Sequence, residues 1–197
     1  MRLPAPLAPS LIWFVALVGI SASTQTTVAK PQHKASCSVP KDEMELYTSY
    51  LSSDTNSSAF TVVETTRQPS RTEIDSINLQ LAVQGRGIPP DVRADFKRKD
   101  KPTSSIEPFP AGNSVRFVSH TENATIFKAG WKEFHKRYGK EASWLQFSRM
   151  GFNSDKTLAL LHVSWGADAM AGGGTLYLFE RKAGKWSVKT YIGTWTT

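Results

Sequence analysis

Cysteine is all but missing from this chain: Cys37 is the only one in 197 residues. A single thiol excludes a disulfide-stapled mini-fold, a four-cysteine zinc site and an iron–sulfur cluster built by one chain. Acidic residues are also in short supply, 17 against 24 lysines and arginines, for a formal charge of +7. After the first 20 residues no apolar run approaches the ~20 positions that a membrane-spanning helix requires. Gly-x-Ser-x-Gly and His-Glu-x-x-His are both absent, which removes the common nucleophile elbow and the helical zinc-protease pair. What is present, 40% hydrophobic and 21% charged residues, describes a globular protein with a core of its own.

The start of the chain reads as an export signal. Arg2 supplies the positive charge, Leu11 to Ile20 is an uncharged apolar run of ten, and small residues follow at Ser21-Ala22-Ser23 and Thr27-Val28-Ala29. Charged, apolar and small, in that order, is the pattern of a secretory leader. Residues 1–29 are assigned to it, with cleavage after Ala22 or Ala29 both open and an uncleaved anchor as the alternative. An exported protein destined for a periplasm or the medium is therefore expected. Removing Arg2 with the leader leaves +6. Bases and acids alternate along stretches such as Asp91 to Lys101, so no nucleic-acid partner is expected; weak attraction to an anionic envelope surface is the functional version of the charge.

Residues 30–40, with Pro31 and Pro40, read as a linker, and 41–197 as one α+β domain. Asp42 to Leu51 is expected to be a helix with its acids in the first turn. Ala59 to Thr66, rich in β-branched residues, reads as a strand. Thr72 to Val83 mixes helical and alternating spacing, Pro90 can open a short helix through Phe96, and the prolines of 99–112 require loop. Val115 to Val118 reads as a strand. Ser119 and Glu122 fit a capping box, and the helix that follows carries Phe127, Trp131, Phe134 and Tyr138 on one stripe up to Gly139. The last fifty residues read as a β-meander: Trp144–Phe152 bent near Gly151, a buried strand Leu158–Trp165, then Thr175–Arg181 and Lys185–Ile192 joined by a tight turn at Lys182-Ala183-Gly184.

The string Ser148-Arg149-Met150-Gly151-Phe152-Asn153 runs through Asp155-Lys156-Thr157 into Leu158-Ala159-Leu160. With Asp95 to Asp100, Trp131 to Phe134 and the final Gly193-Thr194-Trp195, it resembles a group of uncharacterised exported bacterial proteins over roughly residues 89–195. The resemblance implies export and a shared α+β fold, and no activity. It also implies a cysteine pair around the glycine-rich connection, where this chain has Trp165-Gly166 and Ala171-Gly172 instead; no disulfide can form within the monomer.

Candidate ligand contacts are Arg149, Trp131, Trp165 and His162. Arg149 can hold a carboxylate or phosphate through two parallel hydrogen bonds, or serve structure by pairing with Asp155 or Glu133. Gly166 to Gly174 is glycine-rich, but a strand rather than a helix follows, so it is expected to be a flexible connection instead of a phosphate loop. His162, beside Leu161 on a buried strand, reads as a hydrogen-bonded core histidine. Phe109 between Pro108 and Pro110 could edge an apolar pocket containing Trp131 and Trp165. Neither a metal nor a cofactor is expected.

The fold expected is a curved antiparallel sheet of four or more strands with the 122–138 helix packed on it. Its nearest familiar shape, by analogy only, is a cystatin-like or nuclear-transport-factor-like cone. The function expected is non-enzymatic: binding a partner protein of the envelope or a small ligand. The alternative is a small cone-shaped enzyme with His162 or Asp168 as general base.

Overall fold

Thr61-Val62-Val63 and Val115 to Val118 have the branched side chains that favour extended backbone, and in the computed structural model they form neighbouring parallel strands. The structure describes residues 38–53, 59–83, 85, 87–99, 104–111 and 114–197; the stretch read as a leader and Cys37 lie outside them. The elements run α1 (Lys41–Ser53), β1 (Ala59–Val63), α2 (Arg71–Val83), α3 (Pro90–Arg98), β2 (Val115–Val118), α4 (His120–Ala129), α5 (Trp131–Tyr138), β3 (Ala142–Phe147), β4 (Gly151–Phe152), β5 (Leu158–Asp168), β6 (Ala171–Lys182) and β7 (Lys185–Thr196). Among the described residues no helix is long and apolar enough to cross a membrane.

The class is α+β, as expected, but the sheet is mixed. Its seven strands follow the order β2-β1-β3-β5-β6-β7, with β4 extending the β3 side of β5. β1 pairs in parallel with both β2 and β3, and the remaining pairs are antiparallel. The correction has a simple cause. Between β1 and β2 the chain makes the long return that a parallel pair demands, and it spends that return on α2 and α3. β5, β6 and β7 form the expected meander, closed by Ala183 and Gly184, both at positive φ, as a two-residue hairpin turn requires.

Side chains alternate across the sheet and give it two covered faces. On one, Leu46, Tyr47 and Tyr50 of α1 pack on Phe147, Leu161, Val163 and Phe179. Tyr47 is wholly buried, stacks on Phe147 at 4.8 Å between ring centres, and donates its hydroxyl to Ser148 O at 2.7 Å. On the other, Ile74, Ile77 and Leu81 of α2 with Val92 and Phe96 of α3 cover Leu160, Leu176 and Leu178. Val39 is buried and bonded to Ser105 O, so the chain joins the fold inside the stretch read as linker.

The single 122–138 helix is corrected to two. Gly130 separates them at φ 82° and ψ −179°, a backbone region essentially confined to glycine. The aromatic stripe survives the break because Phe127 of α4 stacks against Phe134 of α5 at 5.6 Å. Half of the capping box is made, with Ser119 Oγ accepting from the Glu122 N–H. The Glu122 carboxylate instead reaches α5, accepting from the Tyr138 hydroxyl at 2.9 Å and pairing with Arg137.

Candidate functional site

Arg149 lies in the three-residue stretch between β3 and β4. Its guanidinium holds the Glu43 carboxylate with two bonds of 2.9 Å and donates a third, of 2.8 Å, to Ser104 Oγ. Glu43, on α1, is 1% exposed, and it also accepts the Met150 N–H at 3.0 Å. Lys99 from the end of α3 adds a bond of 2.7 Å to Met150 O and approaches Glu43 at 3.4 Å. The partner of Arg149 is therefore not Asp155 or Glu133, which bond to Ser154 and Lys136 respectively. The rest of the string is equally committed. Gly151 lies so close to α3 that an added Cβ would fall 2.5 Å from Phe96 Cβ. The Phe152 N–H donates to Asp95 at 2.9 Å, and Asn153 Oδ1 accepts the N–H groups of Thr157 and Leu158. Burial pushes the Asp95 carboxyl up, but the Phe152 N–H together with Arg98 and Lys99 holds it below its usual range. Arg149 thus ties α1 and the 104 loop to the sheet.

The glycine-rich stretch is not a loose connection. β5 and β6 continue to Asp168 and from Ala171, and Gly172, Gly173 and Gly174 are paired strand residues. Glycine is there because rings lie against it. A Cβ at Gly166 would come within 2.8 Å of the Trp131 ring, one at Gly173 within 3.0 Å of Trp165 Nε1, and one at Gly174 within 2.2 Å of Trp195 Nε1. The register shifts between Gly174 and Thr175, leaving Thr194 as an extra residue in β7. This bulge sets Thr194 and Trp195 together over one glycine; β7 therefore runs past Ile192, where the alternating pattern suggested it would stop.

These rings surround an open cavity of about 310 Å³ beside α4 and α5, bounded by Phe127, Trp131, Trp144, Trp165 and Trp195, with Gly166 and Gly172 between them. Phe127 stands edge-on to both Trp131 and Trp144, at 5.0 and 5.9 Å. The Trp144 N–H is taken by Asn123 Oδ1 at 2.7 Å. Asp168, at the tip of the β5–β6 hairpin, is the one charged side chain among the described lining residues. It is exposed, and its Oδ1 accepts the Ala169 N–H at 2.6 Å. Trp165 borders the cavity, but it is paired with Leu145 and Gly173, and Leu145 belongs to the α1 core. Its indole therefore lies on the opposite face from Trp131, whose ring covers Gly166.

His162 is 4% exposed, and its Nε2 meets Thr194 Oγ1 at 3.0 Å. Burial pushes its pKa down to about 4, and the Arg67 charge adds to the fall. It lines a second, polar groove of about 440 Å³ with Arg67, Gln68, Ser70 and Ser164, and Trp195 is the wall common to both spaces.

The structure thus brings Trp131 together with Asp168, puts His162 one wall away, and places Arg149 in a separate ion-pair cluster. Phe109 packs on Phe117 at 5.0 Å against the α1 core and does not edge the cavity. Trp144 and Trp195 were not legible as site residues: one reads as a strand start, and the other depends on a bulge that no spacing rule reveals. No family model matches this chain, and neither a curated protein nor a solved structure proved similar to it.

Proposed function

We propose that this is an exported, non-enzymatic domain that binds a small ligand in the tryptophan cavity. The observation that carries the reading is the cavity wall itself. Three indoles and a phenyl ring, which a core would normally enclose, surround open space over glycine. Apolar surface left wet costs on the order of 25 cal/mol per Å², and an apolar or aromatic guest would recover that cost. The volume suits a small molecule rather than a protein segment. Asp168 can orient such a guest but has no second ionisable side chain among the described lining residues with which to share acid–base work.

Indole N–H resonances of a ¹⁵N-tryptophan sample test this. Small apolar, aromatic and cationic probes are expected to move the Trp131, Trp144 and Trp195 signals and to leave Trp186 in place. Shifts confined to Trp186, or none with any probe class, would remove the reading.

The second reading, an enzyme with His162 or Asp168 as general base, rests on the neutral imidazole facing a polar groove beside Ser164. An imidazole with a pKa near 4 is a weak proton acceptor at neutral pH. On this reading, His162→Gln or Asp168→Asn would abolish a turnover detectable by unbiased metabolite screening, while turnover unchanged in both would discard it.

A further inference from the structure

We infer that the ligand of the tryptophan cavity carries a quaternary ammonium group, an inference that rests on the cavity being a ligand site. Among its described lining residues there is no lysine, arginine or histidine, and the one charged side chain is the Asp168 carboxylate. An anionic guest would find no cationic partner there. A sugar or a primary ammonium brings several hydroxyl or N–H groups, each costly to strip of water without a partner. Against them the described lining residues set only Asp168 and the Thr197 hydroxyl as polar side chains outside the indoles. The Trp144 N–H is already bonded to Asn123, and Trp195 Nε1 lies over Gly174 rather than standing clear of the strand.

A quaternary ammonium avoids both difficulties. It has no N–H to satisfy, its methyl skin matches the apolar wall, and its charge is attracted to the faces of indole and phenyl rings. Phe127 set perpendicular to both Trp131 and Trp144 makes the corner of such a cage. Asp168 at the hairpin tip supplies the counter-charge at the rim, and among the described residues it has no cationic partner to compete with a guest.

The test compares choline with the neutral alcohol in which a tert-butyl group replaces the trimethylammonium, by calorimetry on the mature chain. Choline is expected to bind roughly tenfold more tightly than its neutral twin. Asp168→Asn, a change at an exposed hairpin tip, is expected to reduce that preference while circular dichroism and melting stay as in the parent. Trp195→Phe, which keeps a ring but a poorer one for a cation, should weaken choline more than its neutral twin. Equal binding of the two probes would overturn the cationic class and leave the cavity as an apolar site. Binding of neither, with no movement of the indole signals, would overturn the site and the class together. A choline preference unchanged in Asp168→Asn would also contradict the inference, since the counter-charge would then lie elsewhere.

Discussion

Glu43 and Arg149 form a buried pair in which each is the other's main compensation for lost water. Removing one partner takes the main counter-charge from the other, at a cost of up to about 3 kcal/mol because Lys99 and the Met150 N–H still face Glu43 and Ser104 still accepts from Arg149, while removing both costs much less. Arg149→Ala and Glu43→Gln are therefore each expected to lower the urea midpoint strongly, with the double variant recovering part of the loss. A ligand-anchoring role would instead leave stability intact and weaken binding, so one denaturation series separates the two. Sequence reasoning found the arginine because its chemistry is conspicuous. It missed Glu43, 106 positions away, because an acid in a first helical turn is fully accounted for by the helix dipole.

His162 gives a prediction in pH. Its pKa falls from 6.5 to about 4 on folding, so between those values the unfolded chain binds the extra proton. Stability from this group is complete above about pH 6.5 and is lost as pH drops towards 4, by roughly 3 kcal/mol in all. Melting temperatures measured across that window should decline with acid in the parent and decline less in His162→Gln. Equal slopes would assign the acid sensitivity to other groups.

At the scale of elements, the helices and the meander were legible because their periods are plain: the apolar face of α1, the alternation in β7, the glycine turn after β6. What was not legible were breaks and pairings that depend on the far side of a contact. Gly130 divides α4 from α5 inside an unbroken aromatic stripe, and the spacing of Phe127, Trp131, Phe134 and Tyr138 fits one helix as well as two. Glycines 172–174 look like a hinge until the rings that lie on them are known. Gly174→Ala puts this to the test. The new methyl would collide with Trp195 Nε1 and Thr194 Oγ1, at 2.2 and 2.4 Å, so about 1–3 kcal/mol of destabilisation is expected. The Trp195 indole resonance should move with it. Glycine placed here for flexibility would instead gain stability from the same change, through a less mobile unfolded chain.

For the whole molecule, the net charge was among the most visible features of the sequence, yet it does not organise the fold. A mixed sheet covered on both faces does, with α1 on one side and α2 to α5 on the other. The tryptophans fall where that cover is incomplete, beyond the reach of α2 and beside α5, and this gap is the cavity. Its existence follows from how far each helix extends over the sheet, which no local pattern encodes.

The most direct measurement is native mass spectrometry of the protein purified gently from its own cells, alongside Trp131→Ala and Trp195→Ala variants shown to be folded. The account predicts a small-molecule adduct on the parent chain that is missing from both variants. A parent chain that carries no adduct, or variants that keep the same one, would contradict the assignment of the tryptophan cavity as the site of binding.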